Sequence, residues 1–359
     1  MKKNRVAIFA LVIIISVITI FSTKNVMAKD EKKVKAAWIS TVYNLDYPKT
    51  KGIENQKAEF IKVLDNLEKA GINKIVLQVR PKSDALYKSK INPWSDVLTG
   101  EQGKDPGYDP LEFMIKETHK RGMTFHAWLN PYRITTVGDD LNVLSKDHLA
   151  YNHPEYTIIH DAPGGKKAIC YNPELEEVKV HIEETVEEII NNYDVDGIHF
   201  DDYFYPSNFP LPEGESLDGQ IANKRREDVN DMVKRVSNVI KKSGKEIKFG
   251  ISPMGIWKNN SSDKTGSNTN GMQSYYHVYA DTRTWIRNGW IDYVVPQIYW
   301  ETGHKLADYE ELVRWWNKEV NNTGVELYIG HGIYKEQVAR EIDKQINILD
   351  KYKNVKGSY

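Results

Sequence analysis

Connections of two very different lengths join eight short β-rich runs in this 359-residue chain, and that asymmetry limits the possible folds more than any other feature. The runs are Lys35 to Thr41, Lys74 to Arg80, Thr124 to Asn130, Gly197 to Tyr203, Lys248 to Met254, Ile291 to Tyr299, Glu326 to Tyr334, and Val355 to Tyr359. Amphipathic helical stretches lie between them, the pattern of a parallel sheet with crossover helices. Links from helix to strand take only a few residues. Links from strand to helix are far longer, notably Pro81 to Tyr108, Pro131 to Tyr171, Phe204 to Asp218 and Gly255 to Met272. Long loops in a compact domain are usually functional. In a (β/α)8 TIM-type barrel they all lie on the carboxyl face, where such proteins keep their active sites. An open doubly wound sheet is the alternative, but no glycine-rich phosphate turn follows the first strand. Eight strands favour closure, although the chain stops inside the eighth, which puts the seam there in question.

Helix boundaries are legible too. Asp109-Pro110 and Asn172-Pro173 each place a capping side chain before a proline suited to the first helical position. Gly71, Gly122, Gly244 and Gly289 stand where left-handed helix caps belong.

The first residues carry a separate message. Lys2, Lys3 and Arg5 precede an apolar run from Val6 to Phe21, followed by Val26-Met27-Ala28, which reads as a secretory signal cleaved after Ala28. The expected division is therefore residues 1–28 as signal and 29–359 as barrel, with a secreted or wall-associated product. An uncleaved anchor is the alternative, since the run approaches a bilayer-spanning length, and it would be the chain's only link to a membrane. Cys170, the single cysteine, cannot form an internal disulfide. Lys and Arg total 49 against 50 for Asp and Glu, so no broad positive field invites nucleic acid.

Side chains alternate across a strand, so apolar partners reveal which parity faces the helices and which faces the barrel axis. In the fourth run Ile198 and Phe200 face outward, leaving His199, Asp201 and Tyr203 directed at the barrel and its mouth. Asp202 has outward parity unless the strand ends early and the loop turns it. The same reasoning sends His126, Trp128 and Asn130 inward from the third run, and Gln78 and Arg80 inward from the second. In the sixth, Gln297, Tyr299 and Glu301 share the inward set. A purely structural barrel would fill such positions with branched aliphatics.

Two carboxyl groups converging with aromatic rings suit glycosidic bond cleavage, in which one protonates the leaving oxygen and the other attacks or activates water. Asp201 with Glu301 is the expected pair, and Asp202 rivals either. Trp128, Tyr203, Trp257, Tyr299 and Trp300 offer aromatic faces to a sugar. Arg80, Asn130, Arg133 and Gln297, with His126 and His199, supply polar contacts. Each has a plain structural counterpart: the histidines as satisfied interior groups, Arg80 as a buried ion pair with Asp201 or Asp84, and Glu301 as a solvated loop acid. His126, His199 and Asp201 also compose a conceivable ligand set for a metal-dependent hydrolase. The chain lacks a His-x-His pair in its first strand and a second histidine at helical spacing, so neither metal nor cofactor is expected. No nucleophile elbow is present.

Several motifs carry a family likeness. AAWISTVYNLDYP (Ala36 to Pro48), QVRPKSDALY (Gln78 to Tyr87), PWSDVLTGEQGKDPGYDPL (Pro93 to Leu111), HAWLNPYR (His126 to Arg133), DGIHFDDYFYP (Asp196 to Pro206), GISPMGIW (Gly250 to Trp257) and YADTRTWIRNGWIDYVVPQIYW (Tyr279 to Trp300) occur in order. Together they resemble the glycosyl-hydrolase-like 10 family of secreted bacterial proteins. The resemblance implies a (β/α)8 barrel, a cell-envelope setting and a bacterial wall glycan, peptidoglycan or a related polymer, as polysaccharide partner. The fourth-strand segment is also similar to a chitinase-type motif through Asp196, Gly197 and Asp201. Tyr203 stands where that motif has its acid, so the proton donor must come from elsewhere. A barrel that binds wall glycan without cleaving it is the alternative from a different class.

Overall fold

Strand pairing closes the seam that the sequence left in doubt. In chain order the strands are β1 (Val34–Ile39), β2 (Lys74–Arg80), β3 (Thr124–Leu129), β4 (Thr157–Ala162), β5 (Lys166–Tyr171), β6 (Gly197–Phe200), β7 (Lys248–Ile251), β8 (Tyr293–Val294), β9 (Gln297–Ile298), β10 (Glu326–His331) and β11 (Val355–Ser358). β1, β2, β3, β6, β7, β8 and β10 run parallel in that order, and β11 pairs with both β10 and β1. The result is a closed (β/α)8 barrel. This computed structural model describes residues 33–359, so the N-terminal pattern and the division at residue 28 lie outside the described residues.

The long sixth run is split. Pro296 lacks an N–H, and the strand is interrupted between β8 and β9, each of which pairs with β10. A second departure lies in the link after β3, where β4 and β5 form an antiparallel hairpin. Its sequence cue is the turn Pro163-Gly164-Gly165 between two short runs that each hold β-prone residues, a hairpin pattern inside what reads as one loop.

Helices pack outside because each carries one apolar stripe. The helix Gln220–Lys242 buries Val229, Met232, Val233, Val236 and Ile240 at three- and four-residue spacing. Asp109 caps the helix Pro110–His119 as expected, accepting from Glu112 N at 3.2 Å. Asn172 instead accepts from Glu174 N at 3.1 Å, and the next helix begins at Glu176, so the Asn172-Pro173 pair makes a turn before the helix rather than its cap. Gly71, Gly122, Gly244 and Gly289 all have positive φ.

Inside the barrel, alternation holds. Trp38, Val76, Trp128, Tyr293, Val295, Tyr328 and Tyr359 form an interior cluster separate from the main helix-side core. Two glycines make room for it: a Cβ on Gly197 would fall 2.4 Å from the His126 ring, and one on Gly250 would fall 2.0 Å from the Tyr293 ring. Below these, the Lys74 ammonium lies 5.0 to 5.8 Å from the ring centres of Tyr293, Tyr328 and Tyr359. Burial lowers its pKa to about 8. Large side chains therefore plug the amino end, and any site belongs at the carboxyl end.

Candidate active site

β6 ends at Phe200, earlier than its sequence pattern suggests, and Asp201 continues the inward parity at the barrel mouth. Its carboxylate is 4% exposed. Oδ2 accepts from Trp128 Nε1 at 3.1 Å and Asn130 Nδ2 at 3.0 Å, while Oδ1 accepts from Asn130 Nδ2 at 3.2 Å and the Tyr203 amide at 3.1 Å. Burial raises the Asp201 pKa, opposed by the nearby Arg133 cation and by these donors. Every one of the contacts is an N–H, which hydrogen-bonds best to an ionised carboxylate.

Asp202 differs although it is the next residue. Because the strand has ended, the chain turns it towards Gln297 and Tyr299 on the barrel side rather than towards the helices. Its pKa is pushed up to about 6 by burial and by the charge of Asp201. Gln297 is held by a 3.0 Å bond from Nε2 to Ser252 O. Tyr203 projects outward, 53% exposed, with the Arg133 guanidinium 4.0 Å above its ring. Arg133 is anchored through its amide to Asn130 Oδ1 at 2.9 Å and its carbonyl to Ser83 Oγ at 2.7 Å. Asp201, Asp202, Trp128, Asn130, Arg133, Tyr203, Gln297 and Tyr299 thus meet at one mouth.

Four expected site residues sit elsewhere. Arg80 is the clearest correction: a register shift between Gln78 and Arg80 sets Arg80 opposite Leu129, an outward position. An extra residue in a strand reverses the parity of the positions after it. Its guanidinium therefore leaves the barrel axis and reaches Asn92 Oδ1 (3.3 Å), Asn130 O (2.8 Å), Pro131 O (3.2 Å) and His181 Nε2 (3.2 Å), pairing with neither Asp201 nor Asp84. Asp84 is bound instead by Lys82 N and Gln102 Nε2. His126 and His199 lie below the mouth, 2% and 0% exposed, with Nδ1 of each against the Tyr293 hydroxyl at 2.8 and 3.0 Å. Neither is open to a substrate. Trp257 is 4% exposed, clamped between Asp281 (3.0 Å from Nε1) and the Arg283 guanidinium 3.8 Å over its ring.

Two more are intermediate. Trp300 is half-buried and packs on the main core, its ring against Gly255. Glu301 lies in the loop three residues past β9, and among the described residues no hydrogen bond joins it to Asp201 or Asp202. As for the alternative ligand set, the two histidines turn onto Tyr293 while Asp201 faces Trp128 and Asn130. No three His, Cys, Asp or Glu side chains converge as a metal site among the described residues.

Beside the carboxylates opens a cleft of about 390 Å³ between the turn after β1, the β4–β5 hairpin and the segment after β6. That volume lies within the range of small-molecule sites, roughly 300–1,000 Å³. Asn130, Arg133 and Tyr203 border it, joined by Tyr43, His160 and Cys170, which the strand pattern did not single out. Burial pushes the Cys170 thiol far above its ordinary range, so it stays protonated. The Pro163-Gly164-Gly165 turn between two β-prone runs was the available cue for His160 and Cys170; Tyr43 sits in a turn, outside any periodic pattern.

The model described as Glycosyl hydrolase-like 10 matches residues 33–348. Glycosyl hydrolase YngK of Bacillus subtilis (strain 168) is 46% identical over 321 residues, covering 86% of this chain and 62% of that protein. Glycosyl hydrolase DigH of Escherichia coli (strain K12) is 37% identical over 328 residues, covering 86% and 74%. The chain thus spans about three fifths of the length of the first of these relatives. In three dimensions it is similar to the catalytic domain of β-amylase from Paenibacillus polymyxa, with a TM-score of 0.59, 13% identity, and 91% and 92% of the two chains covered. The endo-β-1,4-mannanase from Thermotoga petrophila gives a TM-score of 0.53 at 10% identity, covering 92% and 68%. Identities this low establish a common barrel and nothing finer, whereas the sequence matches reach further: the chain belongs to the glycosyl hydrolase-like 10 family.

Proposed function

We propose that this chain is an extracytoplasmic glycoside hydrolase that cleaves O-glycosidic bonds in peptidoglycan or a related cell-wall glycan. The observation that carries the chemistry is the contrast between two adjacent carboxyl groups at one barrel mouth. Asp201 sits among N–H donors and next to the Arg133 cation, which favour its anion. Asp202, pushed up to about 6, retains a proton much closer to neutrality than an ordinary aspartate. Divided environments of this kind assign roles: Asp202 protonates the leaving oxygen, and Asp201 supports the anomeric carbon as nucleophile or base. Glu301 is the second candidate for the acid. The wall-glycan part of the reading rests on the export-like N-terminal pattern and on what the motif resemblance implies, and the names of the family and of the relatives supply hydrolysis of glycosides.

The test is release of reducing ends from purified wall glycan, with and without stem peptides. Wild-type protein should release them, and Asp201→Asn and Asp202→Asn should not. Full activity in Asp201→Asn would overturn the assignment. Loss in Glu301→Gln alongside retained activity in Asp202→Asn would move the acid to Glu301. Tight glycan binding without turnover across a panel of polymers would instead identify a binding barrel.

A further inference from the structure

The turn after β1 holds a tyrosine in a conformation that bulky residues rarely adopt. Tyr43 has φ 59° and ψ 15°, and Asn44 follows with φ 53°, so two consecutive non-glycine residues occupy the left-handed region. Asparagine tolerates it; tyrosine has no local reason to. Such conformations persist only where the surroundings over-determine them. Here they do. Gln78 Oε1 accepts from the amides of Thr41 (3.2 Å) and Val42 (3.0 Å), and Thr41 Oγ1 donates to Gln78 O at 2.8 Å. Asn44 Nδ2 donates to Pro48 O (2.6 Å) and Val97 O (2.8 Å), and Ser40 N donates to Asp46 Oδ2 at 2.9 Å.

All this fixing does not bury the ring: Tyr43 is 69% exposed. The ring lines the cleft beside Asp201, as does Tyr203, which is backed by Arg133. Asn130 borders the cleft and donates to Asp201, so one side chain joins the cleft wall to the carboxyl pair. A rigidly presented, wet aromatic face next to a carboxyl pair fits the apolar C–H face of a pyranose ring, because an aromatic ring gives broad contact area at little entropy cost.

We propose that Tyr43 is a substrate-binding platform, stacking one sugar unit of the glycan in the cleft between the β1 turn and the segment after β6. This rests on the glycoside-hydrolase reading above and adds a subsite to it. The platform binds ground and transition states alike, so its loss should fall on KM and leave the chemical step alone.

Gel retardation of the full chain in soluble wall glycan, with steady-state kinetics on the same polymer, tests it. Tyr43→Ala and Tyr43→Gly should each weaken retention and raise KM about tenfold, with kcat within about twofold of wild type. The glycine variant relieves the strained backbone, so loss in both traces to the missing ring and not to a collapsed turn. Tyr43→Phe should match wild type, since stacking needs no hydroxyl. Wild-type binding in Tyr43→Ala, recovery in Tyr43→Gly, or loss in Tyr43→Phe would each overturn the platform while the hydrolase reading stands. Wild-type protein that neither binds nor cleaves the polymer would overturn both.

Discussion

The interior and the mouth of the barrel are built from similar residue types yet do opposite things with them. In the interior, His126, His199 and Tyr293 bond to one another or to Trp38 and Ser252 and are shut off from solvent, and burial holds both imidazoles well below their ordinary range. At the mouth, Asp201 and Asp202 lie next to Arg133, whose guanidinium covers the Tyr203 ring, and Arg133 and Tyr203 border an open cleft. A polar side chain on the barrel axis is therefore not itself a mark of function. The two regions are separated by whether the group's partners leave any face for a ligand.

The sharpest way to break this contrast is to remove one carboxylate. Asp201→Asn should lower kcat on wall glycan by roughly 10²–10⁴-fold, the range for loss of a positioned acid or base. Its thermal midpoint should stay near wild type, because the amide can still meet part of the donor cage. A variant that loses stability and activity in parallel would make Asp201 a structural residue like His199.

Arg80 braces the mouth from the helix side, and the next largest effect is expected there. Arg80→Met should cost about 3 kcal/mol, since buried acceptors on Asn92, Asn130 and Pro131 lose a charged donor. Activity per folded molecule should fall as well, because Asn130 carries both the Asp201 contact and the Arg133 anchor. Denaturant melts combined with kcat would separate these losses. Unchanged kcat in the folded fraction would mean that Asn130 needs no support from behind.

Tyr293→Phe probes the interior alone. It deprives His126 Nδ1 and His199 Nδ1 of their shared hydroxyl, at a cost of about 2 kcal/mol for unsatisfied buried groups. kcat and KM should both hold. A drop in kcat with intact stability would extend the active site below the mouth.

How far the sequence foretold these regions depends on the requirements of each position. Strand alternation placed His199, Asp201, Trp128 and Asn130 inward, because side chains in a regular strand repeat with a two-residue period. It failed at Arg80, where one bulged residue reversed the parity; at Asp202 the exception left open for an early strand end applies, since β6 stops at Phe200 and the loop turns the side chain inward. Trp257 illustrates a different limit. Its position past β7 suggested a sugar platform, but Asp281 and Arg283, distant in the fold until the chain closes, cover it. Tyr43 was hidden for the converse reason: its role rests on backbone geometry and exposure, and neither leaves a periodic trace.

The smallest effects come from pH, and there the two regions should move in opposite directions. Asp202 acts as an acid only while protonated. With its pKa at about 6, kcat/KM should fall about tenfold for each pH unit above that value. In the interior, burial depresses His199 to about 3, whereas histidine in an unfolded chain titrates near 6.5. The unfolded state then binds more protons across that window, so the contribution of His199 is fully present above about pH 6.5 and is lost as the pH falls towards 3. Asp84 and Asp201, whose pKa values are raised, act in the opposite sense, so a variant must isolate the imidazole. His199→Gln should make the slope of unfolding free energy shallower between pH 6.5 and 4.5, by up to about 1.4 kcal/mol per pH unit. An unaltered slope would mean that His199 takes up a proton in the folded protein. That would require an open path from the mouth to the interior, and the separation of the two regions would fail at its most buried point.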